Sequence, residues 1–406
     1  MQYRFVIVGG GILGTTLAYQ LSKHISGERI VVIEKEEDVA RHTSSRNTGV
    51  LHRPFYLDPD KKNKFAQCAQ ESYSFWKEYT ARKNLPWRQV GTLEVAFDAE
   101  GCARLQEYKK WSLQNGMRDD EVRLLNVEEV RAIEPNVQCA GALLCTTDAA
   151  VDFGAFTRAL RDDAIQHGVK FKMGKMVEKI KEGAEGMRLE CEDGEALEAR
   201  YIINCAGGAA LNIAHMMGLA KEYADINFRG EYLIIEGESA GLASRNIYSV
   251  PRHSDFPFLD PHYVVRADGR VEIGPTAIPV FGPYAYRGLG SWCRKFTERP
   301  VTNKLRLCVN PEFLRLCAQE WRSALSARAM VARVQKFLPD LRVEDCNTPG
   351  TAGVRASLID KKGRFVPEVV EARTPRSLHI LNYNSPGATG APAYAEYLAQ
   401  RLAAIL

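Results

Sequence analysis

No two of the 10 cysteines in this 406-residue chain stand in a C-x-x-C pair. The nearest two, Cys139 and Cys145, match no standard metal spacing, so no metal or cluster site is expected. The cysteines read instead as small, mostly buried hydrophobes. No apolar run approaches the roughly 18–20 residues that cross a bilayer. The opening MQYRFVIVGG lacks a cationic n-region and a cleavage site, so no secretory signal is expected. Charge of one sign is also scarce: 54 Lys+Arg against 50 Asp+Glu leave a net +4. That balance suits a protein that attracts small anions and carries no nucleic-acid signal. Internal repeats and low-complexity linkers are absent. These absences point to the reducing cytoplasm, with peripheral membrane contact at its inner face left open.

What is present begins with size. Hydrophobic residues at 45% and charged residues at 26% describe an ordinary globular chain, too long at 406 residues for one core, so about two domains are expected. Residues 3–8 form a short apolar run that ends in Gly9-Gly10-Gly11, a helical pattern covers 12–23, and 29–33 form a second apolar run ending at Glu34. This is a β-α-β unit with parallel strands and a right-handed crossover. Within it, Gly9-x-Gly11-x-x-Gly14 joins strand to helix, and Glu34 follows twenty residues after Gly14. Gly9 permits the tight turn, Gly11 lets the backbone approach a pyrophosphate, and Gly14 lets helix and sheet pack closely. The helix's free N–H groups suit phosphate, and Glu34 suits a ribose diol while repelling a 2′-phosphate.

Two further segments favour FAD over NAD. The loop Ser44-Ser45-Arg46-Asn47-Thr48-Gly49 offers hydroxyl and amide groups to the remaining phosphates and ribitol. Ser385-Pro386-Gly387-Ala388-Thr389-Gly390 precedes the final helix and can present N–H groups to the flavin N1/C2=O edge. Val177, in the strand-like VEKI, and Ala206-Gly207-Gly208 suit backbone contacts to the adenine half. With Ile12, Leu13, Lys35 and Val50 beside these motifs, they complete the expected cofactor set.

Further along, helical patterns recur at 60–84, 103–115, 126–133 and 153–167, and strand patterns at 91–97, 141–145, 169–173, 187–191 and 201–205. A helix is expected up to about residue 217, and strands at 227–235, 246–250, 263–266 and 271–273. Helices return between 289 and 337, and a strand, a glycine loop and a helix close the chain. The expected fold is α/β (α+β overall): a Rossmann-like FAD-binding domain with a second, mixed or antiparallel-sheet substrate domain. Its discontinuous flavin part would comprise 1–85, 140–220 and 345–406, and its substrate part 86–139 and 221–344.

Seven segments carry a family resemblance: VIVGGGILGTTLA, SSRNTGVLH, VGTLEVA, FRGEY, SVPRHSDFPFLDPHYVVRADGRVEIGPTA, GVRASLID and NSPGATGAPAYAEYLA. Through them the chain resembles, over essentially its whole length, the D-amino-acid-oxidase/glycerol-3-phosphate-dehydrogenase superfamily of FAD enzymes. Within that superfamily it looks most like the L-2-hydroxyglutarate oxidases and dehydrogenases. It departs from their pattern at His52-Arg53-Pro54, where the family usually reads H-A-G, and at Thr276, where Asn is common. The resemblance implies oxidation of a 2-hydroxy acid to the 2-oxo acid, with hydride passing to flavin N5 and dioxygen or a quinone as the later electron acceptor.

Such chemistry needs a base and cations for carboxylates. The resemblance sets His52 beside the flavin ring, and imidazole suits proton abstraction near neutral pH. His262 is a second candidate, as base or substrate-orienting group. Arg355 matches the superfamily position that grips the substrate anion with a bidentate fork, and is also counted with the cofactor residues. Arg53, Tyr56, Arg229, Tyr232 and Tyr248 are candidate substrate contacts, whereas Arg266, in mid-strand, reads as structural. Tyr56 stands where glycerol-3-phosphate enzymes carry arginine, which favours the hydroxyglutarate group. The alternatives are a glycerol-3-phosphate dehydrogenase with a rearranged pocket, an amino-acid or secondary-amine oxidase, and a non-catalytic FAD-carrying subunit.

Overall fold

The strand Tyr3–Val8 divides its side chains between two cores, as the two-residue period of a strand requires. Phe5 and Ile7 join a cluster with Leu17, Ile30, Val32, Phe156 and Tyr394 on one face. Val6 and Val8 join Val31, Ile33, Leu189 and Ile202 on the other. A strand apolar on both faces belongs in the middle of a covered parallel sheet. It is found there: Val8 pairs in parallel with Ile33 on one side and with Asn204 on the other. The computed structural model describes residues 3–251, 256, 260–290 and 301–405.

This eight-stranded sheet runs through 177–182, 187–191, 196–204, 3–8, 30–33 and 170–172. The strands 377–381 and 370–374 extend it beside 196–204. The helix Ile12–His24, buried from Ile12 to Leu21, crosses between the first two strands and packs against the last helix, Gly387–Ile405. Asn63–Lys83 packs on that helix in turn.

A second eight-stranded sheet follows the order 348–349, 233–235, 271–274, 262–265, 246–249, 92–96, 141–145 and 122–125. The helix Ala327–Val334 closes one face through Met330, Val331 and Val334. Two small sheets link the layers, one of 278–280, 224–230 and 353–359, the other of 50–51, 149–151 and 87–88. The architecture is the mixed α/β one expected. Among the described residues no helix is long and apolar enough to cross a membrane.

One expected strand divides. The apolar stretch 227–235 forms two strands, Ala224–Gly230 and Leu233–Ile235, in different sheets. The break falls at Gly230, where a Cβ would lie 2.7 Å from Pro275 Cβ. The Glu231 N–H then donates to Thr276 Oγ1 at 3.0 Å, fixing the turn. Residues 257–259 of the FPFLDP turn and 291–300 of the expected helical stretch lie outside the described residues.

Candidate active site and flavin cavity

The glycine turn opens the site. Gly9 has φ +109°, a conformation that disfavours any side chain, and its N–H donates to Ile33 O at 2.8 Å. A Cβ on Gly14 would come within 2.0 Å of Gly9 O, so only glycine lets the helix start this close to the strand. A cavity of about 960 Å³ begins at this turn and runs to His52 and Arg355. Its volume and elongated lining suit a dinucleotide with a small substrate at one end.

Of the expected cofactor residues, Gly9, Gly11, Ile12, Leu13, Glu34, Lys35, Ser44 and Arg46 line it near the turn. Asn47, Thr48, Gly49, Val50, Val177, Ala206, Gly207, Arg355, Pro386, Ala388 and Thr389 also line it. Glu34 is fixed by two backbone amides, Gly10 N–H at 2.7 Å and Glu36 N–H at 3.0 Å, one on each carboxylate oxygen. Each oxygen keeps lone-pair capacity for a ribose hydroxyl. Ser44 Oγ accepts from Ile12 N–H at 2.9 Å and so secures the first turn of the helix.

Four members serve the cradle from behind. Ser45 bonds its hydroxyl to Ala40 O, and Gly14, Gly387 and Gly390 are packing positions. A Cβ on Gly387 would lie 2.9 Å from the Tyr383 ring, and one on Gly390 3.0 Å from Cys68 Cβ. Asn47 shapes its own loop, donating to Thr43 O and Ser44 O and accepting from Gly49 N–H at 2.8 Å.

At the far end His52 is buried, with its backbone N–H on Thr389 Oγ1 at 3.2 Å. Its Nδ1 lies 3.2 Å from Asp148 Oδ2. A carboxylate can only accept, so Nδ1 carries the proton and Nε2 is left as the acceptor. Asp148, fully buried, also accepts from Arg53 N–H at 2.7 Å, Thr92 Oγ1 at 2.8 Å and Cys145 Sγ at 3.4 Å. The arrangement has the geometry that a base with an orienting carboxylate requires. Asp148 was not foreseen in the sequence, because no local motif marks a partner 96 residues away.

Tyr56 and Tyr248 stand edge-on to His52 at 5.8 and 5.7 Å. Tyr248 stacks on His262 at 3.7 Å. His262 is held down to about 3 by burial first and then by the neighbouring His52. It is therefore neutral and weakly basic in the working range, which suits an orienting group better than a base. Neither Tyr248 Oη nor His262 Nδ1 has a hydrogen-bond partner among the described residues.

Arg355 faces the cavity half-buried, and its guanidinium makes no hydrogen bond or ion pair with any described residue. Burial lowers its pKa, while Tyr232 and Tyr56 offset part of that effect. An unpaired guanidinium in a cavity is an anion site in waiting. Tyr232 lines the same cavity and shares a 2.9 Å hydrogen bond with Thr48 Oγ1.

Tyr56, Tyr248 and His262 pack around His52 without themselves lining the cavity, and two expected arginine contacts are held elsewhere. Arg53 is 2% exposed and points away: its guanidinium donates to Glu121 at 3.0 Å and Gln70 at 2.8 Å and lies over the Tyr73 ring. Arg229 is engaged by Glu231 at 2.8 Å and by the Ala285 and Gly288 carbonyls. Arg266, read as structural, bonds Glu272 and Asn47 O.

The family model described as FAD dependent oxidoreductase matches residues 4–401. The chain belongs to the FAD dependent oxidoreductase family. It is 30% identical to a mitochondrial L-2-hydroxyglutarate dehydrogenase of Caenorhabditis elegans, over 98% of this chain and 92% of that one. It is 31% identical to the Homo sapiens protein of the same name, over 98% and 88%. In fold it is similar to the L-alpha-glycerophosphate oxidase from Mycoplasma pneumoniae with FAD bound: TM-score 0.76, 22% identity, 100% of this chain and 95% of that one. The cofactor of this family member is FAD, and the glycine turn, Glu34 and the long cavity fit it.

Proposed function

We propose that this enzyme oxidises L-2-hydroxyglutarate, or a closely similar small 2-hydroxy acid, to the 2-oxo acid. The observation that carries the reading is the unpaired Arg355 guanidinium in the same cavity as the His52–Asp148 pair. The names of the curated relatives supply the substrate. Bound FAD supplies the two-electron acceptor. Arg355 holds the carboxylate next to the hydroxyl, His52 Nε2 takes the hydroxyl proton, and Asp148 steadies the resulting imidazolium. Tyr232 lines the cavity, and Tyr56 and Tyr248 pack on His52, which limits water at that end. Dioxygen or a quinone takes the electrons afterwards.

We further propose that the domains follow the sheets. The first, mixed sheet with its helices would be the flavin domain, and the second eight-stranded sheet the substrate domain. Because Gly141–Cys145 and Gly353–Ile359 pair outside that first sheet, the flavin segments would then resume after Cys145 and after Ile359.

The test is anaerobic bleaching of the enzyme's flavin by L-2-hydroxyglutarate, sn-glycerol 3-phosphate, glycine and proline. Bleaching by the hydroxy acid alone, lost in affinity on Arg355→Ala and in rate on His52→Ala, is the expected result. Selective bleaching by another member of the panel, or unimpaired reduction in both variants, refutes the assignment. Reoxidation by air against a soluble quinone then identifies the acceptor.

A further inference from the structure

A carboxylate offers about four lone-pair sites, and those of Asp148 are filled from four directions. His52 Nδ1 at 3.2 Å and Thr92 Oγ1 at 2.8 Å share Oδ2, while Arg53 N–H at 2.7 Å and Cys145 Sγ at 3.4 Å share Oδ1. The hydroxyl and the thiol are placed by the second sheet. Thr92 and Cys145 are register partners on the strands Thr92–Ala96 and Gly141–Cys145, so both side chains leave the same face.

A second carboxyl group stands on that face. Glu94 follows Thr92 by two residues, and its partner on the neighbouring parallel strand is Tyr248, whose ring lies 5.7 Å from His52. Glu94 is buried and accepts no hydrogen bond from a described residue. Two buried carboxyl groups on one face resist ionising together, and the one supplied with donors takes the charge. Burial first, and then Asp148, accordingly push the Glu94 carboxyl up to about 8, so it keeps its proton at neutral pH. The other titratable groups around the pair leave this division alone. Burial holds Tyr56, Tyr248 and the Cys145 thiol above their usual ranges and His262 below its own, so all four are neutral. Arg53 and Glu121 pair with each other, and Arg355 faces the cavity.

We infer that Thr92 is a positioning residue for the reaction: by donating to the oxygen that faces His52, its hydroxyl keeps the negative charge on Asp148 and off Glu94. The inference rests on the reading of His52 as the base. Among the donors to Asp148, Thr92 is the strong one that acts through a side chain other than the base, since Arg53 uses its backbone and a thiol donates weakly. Without the hydroxyl, Oδ2 is left with His52 alone. The proton then passes from Glu94 to Asp148, and the charge goes the other way. A neutral carboxyl cannot steady the imidazolium that forms when His52 takes a proton.

The test uses FAD-loaded Thr92→Val, Thr92→Ser and Thr92→Val/Glu94→Gln proteins whose flavin content matches wild type. Valine keeps the shape of threonine and lacks the hydroxyl. One readout needs no substrate: the NMR signal of the His52 Nδ1 proton in protein labelled with 15N-histidine, assigned by its loss in His52→Gln. A hydrogen bond to an ionised carboxylate holds that proton at low field. The other readout is stopped-flow flavin reduction by L-2-hydroxyglutarate. Thr92→Val should move the signal upfield and slow reduction roughly 10- to 100-fold, the worth of one charge-assisted contact. KM should change little, because Arg355 is untouched. Thr92→Ser should restore both readouts. Adding Glu94→Gln, whose amide cannot take the charge, should restore part of each to Thr92→Val. No low-field signal in wild type, an unchanged signal or unchanged reduction in Thr92→Val, a loss that serine does not repair, or a double variant no better than Thr92→Val overturns the inference. A His52 signal that follows Thr92 in an enzyme that hydroxyglutarate fails to reduce would uphold Thr92 and remove the proposed reaction. Reduction by hydroxyglutarate with a signal indifferent to Thr92 would do the reverse.

Discussion

Replacing Glu94 by glutamine should change how the stability of this protein depends on pH. Glu94 lies on the strand Thr92–Ala96, in register with Tyr248 on the neighbouring parallel strand. It is 5% exposed and accepts no hydrogen bond from a described residue. Burial first, and then the nearby Asp148, push its carboxyl from 4.5 up to about 8. The folded protein therefore holds this proton between pH 4.5 and 8, where the unfolded chain has released it. Below 4.5 both states are protonated and nothing is lost. Through the interval folding is increasingly penalised, and above 8 the penalty is constant. At about 1.4 kcal/mol per pH unit, the full penalty is roughly 4–5 kcal/mol. For a chain of this length, that corresponds to about 5 °C in Tm.

Glutamine keeps the shape and cannot ionise, so it removes the slope whatever constant offset its amide introduces. Thermal unfolding of both proteins in excess FAD, from pH 5 to 8.5, gives the comparison. The Tm of Glu94→Gln relative to wild type should climb steadily across that range. A difference that stays flat with pH would refute the reasoning and mean that the Glu94 carboxyl is ionised in the folded state.

Asp148→Asn should slow flavin reduction about 10²- to 10⁴-fold while leaving FAD content unchanged, because an amide can place the His52 proton on Nε2. Stopped-flow reduction within a few-fold of wild type would dismiss the pair. Arg355→Lys keeps the charge and loses the planar fork, so KM should rise roughly 10- to 100-fold with a smaller change in kcat. An unchanged KM would place the substrate anion elsewhere. Gly14→Ala introduces a Cβ 2.0 Å from Gly9 O, and purified protein should be colourless or insoluble. A yellow, stable Gly14→Ala protein would contradict the packing described.

The flavin half was readable because its signals are local. The alternation of Phe5, Val6, Ile7 and Val8, the glycine spacing and the acid ending the next strand all fall within one β-α-β unit. The candidate catalytic end was legible only through single residues, His52 and Arg355. Their surroundings are assembled from distant segments: Asp148 is 96 residues from His52 and 56 from Thr92. Arg53 misled for the same reason. Its charge looked available beside His52, but Glu121, 68 residues on, engages it. His262 looked like a base until its stacking on Tyr248 and its burial were known. The stretch 227–235 read as one strand because the residues on both sides of Gly230 favour strands, and the contact with Pro275 that breaks it is long-range.

The anchoring of Arg53 reaches beyond the residue itself. Its amide holds Asp148 and its side chain is fastened to Glu121 and Gln70, so the polypeptide next to His52 is bolted to a distant stretch of chain. An imidazole mounted this way has little freedom to swing toward its target, and alignment falls to whatever enters the cavity. Changes at Glu121 or Gln70, neither of which lines the cavity, should therefore impair turnover as if they were made inside it.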